Sequence, residues 1–259
     1  MKQYIVDAFT DRIFSGNPAG VCILEKWIPD DLMKNIAMEN NFSETAFAVK
    51  NDNSYHLRWF TPNGEIDFCG HATLATAYVI KHFYDTDCNI IIFNTMSGKF
   101  SVKVKNDVYE MDFPAYSLNE IPVTEDMKNA IGIKPVSAYM DRDLMLVVSS
   151  EKDVKNLNLN TEILKKLDGL CVAITAKSSE YDCISRVFAP KLNVPEDPVT
   201  GSTHCMIIPY WAEKLGKNKI TAYQASERTG VLYAELSGNN RVKISGKAVL
   251  YAISEILPE

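Results

Sequence analysis

The chain contains Arg58-Trp59-Phe60-Thr61-Pro62 in its first half and Arg186-Val187-Phe188-Ala189-Pro190 in its second. Each copy is followed by a glycine that opens an apolar stretch of helical character, Gly70 after the first copy and Gly201 after the second. A further glycine then leads into alternating strands in both halves, so the order of elements repeats along the chain. Coincidence among common patterns is the competing explanation, but the near-constant spacing favours an internal duplication.

The stretches behind the two glycines predict one buried helix in each half. Residues 71–84 and 202–215 are apolar or small on almost every face, and a helix without a charged face is normally buried. Short runs rich in β-branched and aromatic residues occupy much of the remainder and predict strands. We therefore expect each half to be a sheet wrapped around its own central helix.

A proline-containing segment separates the two halves. Residues 114–122 break the periodicity and disfavour regular structure. We therefore expect an N-terminal domain over residues 1–116 and a C-terminal domain over residues 117–259. The C-terminal strand near 247–259 could return to the first domain.

Composition and charge restrict the class of protein. The 259 residues are 46% hydrophobic and 23% charged, an ordinary globular mixture that argues against disorder. The formal net charge of −6 provides no basic field for nucleic acid. The N-terminus lacks a signal-peptide core, no apolar run approaches the ~20 residues of a membrane span, and the cysteines form no C-x-x-C pair. These features predict a cytoplasmic protein with reduced thiols and no nucleic-acid or membrane partner.

Both predicted helices begin after an irregular, partly acidic loop. A helix N-terminus presents unpaired N–H groups and a partial positive charge, so Gly70 and Gly201 could bind a carboxylate or phosphate in a cleft between the halves. Hydroxyl groups of Thr73, Ser202 and Thr203 supply further donors. The alternative, that Ser202 and Thr203 only cap their helix, stays open from the sequence. The recurrence of the pattern in both halves favours binding.

Glu44 is the most conspicuous carboxylate of the sequence. It lies between Phe42 and the apolar run 46–49, where partial burial would raise its pKa toward that of a general acid or base. The alternative is a glutamate that faces solvent at the start of a strand, which is more common for any single glutamate. A carboxylate of raised pKa near two helix N-termini suits proton transfer at a carbon beside a substrate carboxylate.

Six short blocks in order give the chain a family resemblance. It resembles the phenazine-biosynthesis PhzF-like proteins, which are relatives in fold of diaminopimelate epimerase, over nearly its whole length. The blocks are Val6-Asp7-Ala8-Phe9-Thr10, Ser15-Gly16-Asn17-Pro18-Ala19-Gly20-Val21, Ser43-Glu44-Thr45-Ala46-Phe47, Arg58-Trp59-Phe60-Thr61-Pro62, Cys69-Gly70-His71-Ala72-Thr73-Leu74-Ala75 and Glu196-Asp197-Pro198-Val199-Thr200-Gly201-Ser202.

The resemblance implies an α+β fold of two similar domains, each a mainly antiparallel β-barrel wrapped around a central α-helix, with one active site between them. It implies cofactor-independent isomerase chemistry on a small carboxylate-bearing metabolite, and a homodimer. Glu44 matches the proton-shuttling glutamate of the family, and His71 and Asp197 match the residues that assist it. Gly70 and Ser202 match substrate- or anion-contacting positions, with Asn17 in a matching loop of lesser weight.

The cysteines distinguish two mechanisms within this wider fold. In the amino-acid racemases of the fold, two thiols oppose each other, each directly before the glycine of a central helix. Cys69 occupies that place in the first half, but Thr200 occupies it in the second. A hydroxyl cannot replace a thiol as a base without special activation, so a shuttle with one carboxylate is favoured. Cys69 could line the cleft or simply be a small buried residue.

Two classes of function therefore compete. The first is an isomerase, of the epimerase or double-bond-shifting kind, that uses Glu44 as acid and base. The second is a small-molecule (carboxylate) binding or regulatory protein that uses the same helix ends without turnover. No spacing of His, Cys, Asp and Glu matches an established metal site, so the sequence predicts neither a metal nor a cofactor.

Overall fold

Eighteen strands, six α-helices and one 3₁₀ helix form in residues 1–238 and 240–257, the part of the chain that the computed structural model describes. The first nine strands are β1 (Lys2–Ala8), β2 (Asn17–Leu24), β3 (Glu44–Asn51), β4 (Ser54–Thr61), β5 (Gly64–Ile66), β6 (Ile90–Thr95), β7 (Gly98–Lys105), β8 (Val108–Pro114) and β9 (Asn119–Ile121). The others are β10 (Ser137–Met140), β11 (Leu144–Val147), β12 (Val172–Lys177), β13 (Cys183–Ala189), β14 (Val194–Asp197), β15 (Lys219–Gln224), β16 (Gly230–Ser237), β17 (Arg241–Gly246) and β18 (Ala248–Glu255).

The helices are few and mostly short, so the fold is a sheet-rich α+β fold, as the sequence predicts. They are α1 (Asp30–Asn40), α2 (Gly70–Phe83), α3 (Glu125–Ile131), α4 (Glu151–Lys155), α5 (Thr161–Leu164) and α6 (Gly201–Leu215), with a 3₁₀ helix at Pro190–Leu192. None of those in the described ranges is both long and apolar enough to cross a membrane.

The chain forms two compact units. The N-terminal unit contains Met1–Asp112 and the C-terminal segment that begins at Ser245, and the C-terminal unit is Phe113–Ile244. The sequence prediction put the boundary between 116 and 117. The segment near 247–259 lies with the N-terminal unit because β18 pairs antiparallel with β1, from Lys2↔Glu255 to Ala8↔Ala248. Residues 258 and 259 of that predicted strand lie outside the described residues.

The N-terminal unit is a mixed sheet around a buried helix. Strand β2 pairs antiparallel with β1 and parallel with β3, a connection that requires a crossover, which α1 provides. Strand β4 pairs antiparallel with β3 and β5 and parallel with β6. The hairpin of β6 and β7 continues into the hairpin of β7 and β8. Helix α2 packs against β1, β2, β3 and β18.

The same pairing order recurs in the C-terminal unit. Strand β11 pairs antiparallel with β10 and parallel with β12, with α4 and α5 in the crossover. Strand β13 pairs antiparallel with β12 and β14 and parallel with β15, which forms a hairpin with β16. Helix α6 packs against β15 and β16. The repeat in the sequence therefore corresponds to a repeat in strand topology.

The two helices predicted behind the glycines form within one residue of the predicted bounds. Gly70 and Gly201 are their first residues, and most residues of both helices are buried. Helix α6 ends at Gly216, whose φ of 64° is the left-handed conformation in which glycine closes helices without steric cost. Large side chains such as Trp59 and Phe188 are almost fully buried in the two units, and each contributes on the order of 2 kcal/mol by leaving water.

Candidate active site

Three elements of the N-terminal unit bring Asn17, Glu44 and His71 together. Asn17 is the first residue of β2, Glu44 is the first residue of β3, and His71 is the second residue of α2. Parallel pairing of β2 with β3 sets Ala19 opposite Glu44, so both strands begin at the same edge. The side chain of Glu44 is 16% exposed, while Asn17 and His71 are buried. Glu44 is thus the partly buried carboxylate that the sequence predicts.

His71 lies between two sets of polar groups. Its Nε2 is 3.1 Å from Oε2 of Glu44. Its Nδ1 is 3.2 Å from Nδ2 of Asn17 and 3.4 Å from Sγ of Cys69. Burial lowers the pKa of His71 to about 3, because the charged imidazolium would lose its hydration. Burial thus favours the neutral imidazole. The amide N–H of Asn17 at Nδ1 favours the tautomer that carries its hydrogen on Nε2, the nitrogen on the side of Glu44.

Glu44, Cys69 and His71 are also the kinds of residue that bind metal ions. One ligand atom from each lies within 4.8 Å of the others. However, Glu44 faces Nε2 of the imidazole and Cys69 faces Nδ1, and a single ion binds one nitrogen of a histidine. The arrangement therefore fits a chain of proton donors and acceptors better than three ligands converging on one ion. The absence of a metal stays a prediction.

Asp197 is the last residue of β14 in the C-terminal unit. The hydroxyl of Thr200 donates to Oδ2 of Asp197 at 2.5 Å. Thr200 is in turn held by Gln224, whose Oε1 accepts from the backbone N–H of Thr200 at 2.9 Å. A hydrogen bond donated to a carboxylate stabilises its ionised form. This partly buried carboxylate therefore belongs to a hydrogen-bond network in the loop before Gly201.

Matching ion pairs hold the strand and loop before each central helix. Arg58 makes a two-pronged pair with Glu65, with both N···O distances 2.7 Å, and Arg186 makes the same pair with Glu196 at the same distances. Each guanidinium also lies 5.1 Å from the ring of the phenylalanine two residues later. Such a bidentate pair fixes direction as well as distance. We call these two pairs the arginine braces.

Two further contacts recur around the helix starts. The hydroxyl of Ser97 donates to the backbone oxygen of Asp67 at 2.8 Å, and that of Ser226 donates to the oxygen of Pro198 at 2.8 Å. The fourth residue of each central helix bonds the backbone oxygen of the residue before the helix. Thr73 bonds the oxygen of Cys69 at 2.6 Å, and His204 bonds the oxygen of Thr200 at 2.7 Å. The duplication thus extends to individual side-chain contacts that position each loop.

The carboxylates are the exception to this likeness. Phe47 pairs with Arg58 in the N-terminal unit, and Ile174 pairs with Arg186 in the C-terminal unit. Phe47 and Ile174 therefore occupy equivalent positions. Three residues earlier stand Glu44 in one unit and Cys171 in the other. Burial, the largest cause, and the nearby charge of Asp143 raise the pKa of the Cys171 thiol to about 12. The counterpart of Asp197, four residues before the glycine, is Ile66. Each unit has thus kept one carboxylate that the other lacks.

The hydroxyl residues predicted at the helix starts differ in their exposure to solvent. Ser202 is half-buried in the first turn of α6. Thr73 and Thr203 are buried, Thr73 bonding the oxygen of Cys69 and Thr203 donating to Oδ2 of Asp143 at 2.9 Å. Both hydroxyls are thus engaged within their own units, and a role for them toward a ligand stays a prediction.

Sequence reasoning missed Gln224, Asp143 and the glutamate partners of the two arginines. Asp143 is fully buried and accepts from Thr203 and from the backbone N–H of Cys171. Gln224 ends a strand that alternates buried and exposed positions, so its burial was predictable but its partners were not. The glutamates had a readable signal: each stands five residues before the glycine of its central helix.

The chain is similar to known proteins over nearly its whole length. The family model for PhzC-PhzF, the phenazine biosynthesis-like proteins, matches residues 6–253. A protein of Pseudomonas aeruginosa named an uncharacterized isomerase is 46% identical over 246 residues, which cover 95% of this chain and 95% of that protein.

Two solved structures are similar over the full length. A putative phenazine biosynthesis PhzC/PhzF protein of Clostridium difficile is 50% identical, with a TM-score of 0.95 and 100% of both chains covered. A PhzF-family protein of Enterococcus faecalis is 46% identical, with a TM-score of 0.97 and 99% of both chains covered. The fold is therefore that of the phenazine biosynthesis-like proteins. The chain is a member of the PhzC-PhzF family.

Proposed function

We propose that this chain is a cofactor-independent isomerase that moves a proton on a small carboxylate-bearing metabolite. Glu44 is the acid and base, His71 and Asp197 assist it, and the N-terminal turns of α2 and α6 bind anionic groups. The name of the Pseudomonas aeruginosa relative, an isomerase, supports the reaction class. The finer architecture of two β-barrels around central helices belongs to the same proposal, supported by the recurring strand topology.

The contact between Glu44 and His71 carries this proposal. A partly buried carboxylate lies 3.1 Å from the Nε2 of an imidazole whose neutral form is favoured by burial. The contact is close but is not aligned as a hydrogen bond, and catalytic groups often align only in the complex with substrate. The enclosed setting limits competition from water.

The proposed reaction conserves every atom of the substrate. A C–H bond beside the substrate carboxylate breaks, its proton moves to Glu44, and its electron pair stays on the substrate as an enolate-like anion. Backbone N–H groups at the helix starts stabilise that anion. Glu44 then returns the proton to carbon, either at another position or with inverted configuration. No oxidant or reductant takes part.

The test is exchange of a substrate C–H with deuterium from solvent. Wild-type protein is incubated in heavy water with small carboxylates, among them citrate and aromatic amino-carboxylates, and exchange is followed by NMR. We expect Glu44→Gln to lower the exchange rate at least 10³-fold, because the amide cannot accept the proton. Glu39→Gln, at an exposed position of α1 in the same unit, is the matched control and keeps the wild-type rate.

Thermal stabilisation by the same compounds separates the isomerase from the binding protein. A compound that stabilises wild-type and Glu44→Gln protein equally, and is exchanged by neither, supports a binding protein without turnover. Wild-type exchange rates in the folded Glu44→Gln variant would refute the role of Glu44.

A further inference from the structure

We propose that Gln224 is a positioning residue for Asp197, acting through Thr200. The assignment rests on the proposed function in one respect, which is the role of Asp197 in proton transfer. Gln224 ends β15 and is fully buried. It belongs to none of the blocks that carry the family resemblance.

The amide of Gln224 is held at both of its ends. Its Oε1 accepts from the backbone N–H of Thr200 at 2.9 Å, and its Nε2 donates to the backbone oxygen of Asp197 at 2.7 Å. The two contacts fix the orientation of the amide, since exchanging oxygen and nitrogen would place like groups together. They also fix the separation of residues 197 and 200, the two ends of the loop before α6.

A third contact of Gln224, to the hydroxyl of Thr200, connects it to the Asp197 carboxylate. Nε2 of Gln224 lies 3.3 Å from Oγ1 of Thr200, and that hydroxyl donates its one hydrogen to Oδ2 of Asp197 at 2.5 Å. Because Oγ1 of Thr200 accepts a hydrogen bond from Gln224, its own hydrogen points away from Gln224 and toward Asp197. Gln224 thereby sets the direction of the hydrogen bond that stabilises ionised Asp197.

The other unit shows that this network is not required by the fold. Tyr55 pairs with Phe93 in the N-terminal unit, and the equivalent Cys183 pairs with Ala222 in the C-terminal unit. Thr95 and Gln224 each stand two residues after these partners, so they occupy equivalent positions. The hydroxyl of Thr95 donates to Gly98 in its own turn. The contacts common to both loops, the arginine braces and the two serines, are therefore sufficient to build the loop. Gln224 occurs where the loop carries Asp197, not where it carries an isoleucine.

Several titratable groups of the C-terminal unit lie near Asp197. Glu196 is paired with Arg186, and the Cys171 thiol has its pKa raised to about 12, mainly by burial, so it stays neutral. Burial lowers the pKa of His204 to about 4 although its bond to the oxygen of Thr200 opposes this. A probe specific to the Asp197 carboxyl carbon is therefore needed to separate its titration from that of His204.

The experiment is a pH titration of the full chain labelled with ¹³C at the aspartate carboxyl carbons. Asp197→Asn assigns the signal. Gln224→Met keeps the length of the side chain and removes its hydrogen bonds, so we expect the pKa of Asp197 to rise by about one unit. Ser226→Ala, which loosens the same loop through Pro198 without touching Asp197 or Thr200, is the control and leaves the Asp197 titration unchanged.

A second variant covers the case in which Gln224→Met does not fold. Thr200→Val removes the hydroxyl at nearly constant shape and should raise the Asp197 pKa in the same direction. An unchanged Asp197 titration in either folded variant, or an equal shift in Ser226→Ala, overturns the assignment. These titrations need no substrate. The isomerase proposal fails if no compound shows exchange that depends on Glu44, and the titrations still test the role of Gln224 in that case.

Discussion

His71 is the residue that lies closest to Glu44 among the polar groups of the proposed site. Its ring is buried, its pKa is lowered to about 3 by loss of hydration, and its two nitrogens face different partners. Donors on the Nδ1 side leave Nε2 as the hydrogen-carrying nitrogen, and Nε2 lies 3.1 Å from the carboxylate. A neutral imidazole can support ionised Glu44 without itself adding a charge to the buried site.

Cys69 tests this arrangement at the scale of a single atom. Cys69→Ser keeps a donor near Nδ1 of His71, so we expect exchange of a Glu44-dependent substrate to stay within about tenfold of the wild-type rate. The rate is measured by deuterium incorporation, with Cys22→Ser as a control for loss of a buried thiol in the same unit. A loss of 10³-fold or more, confined to Cys69→Ser, would identify the thiol as a proton-transferring group and contradict a shuttle by one carboxylate.

At the scale of elements, the arginine braces connect a strand to the loop that precedes a central helix. Arg58 and Arg186 are less than a fifth exposed, and each uses both sides of its planar group. Lysine has the same charge but a single ammonium, so it cannot make the two-pronged pair. The brace therefore depends on the shape of arginine and not only on its charge.

Arg186→Lys should lower the free energy of unfolding of the C-terminal unit by about 1–2 kcal/mol. Arg58→Lys should do the same in the N-terminal unit, and both are measured by urea denaturation. Lys165→Gln removes an exposed pair with Glu162, whose atoms are 3.9 Å apart, and should change stability by less than about 0.5 kcal/mol. Equal effects of Arg186→Lys and Lys165→Gln would contradict a structural role for the brace.

The sequence predicts elements better than it predicts contacts between distant residues. Helices α2 and α6 follow from runs of apolar residues behind a glycine, and Trp59 and Trp211 are buried as their patterns indicate. Glu44 follows from its place before an apolar strand. The position of Gln224 beside Thr200 depends on the pairing of β13 with β15, and strand pairing between distant segments leaves no local signal.

At the scale of the molecule, the two units share the contacts that hold each loop and differ in their carboxylates. Each unit holds the loop before its helix by an arginine brace, a serine and a fourth-residue side chain. Only the N-terminal unit has Glu44, and only the C-terminal unit has Asp197 before the glycine. Two equivalent carboxylates would give two equivalent bases, whereas a one-base isomerase needs different groups in different roles.

The two units also share a source of acid sensitivity, because each buries one histidine in its central helix. Burial lowers the pKa of His71 to about 3 and that of His204 to about 4, against about 6.5 in the unfolded chain. As pH falls below 6.5, the unfolded chain binds protons that the folded units exclude, so each histidine removes ~1.4 kcal/mol of stability per pH unit. Carboxylates with lowered pKa values, such as Glu151 at about 2, lose their contribution only at more acidic pH. Urea denaturation at pH 5–6.5 should therefore show a slope that His71→Asn reduces in the N-terminal unit and that His204→Gln reduces in the C-terminal unit. An identical slope in the variants and the wild type would mean that these histidines are charged in the folded protein, and that His71 meets Glu44 as an imidazolium.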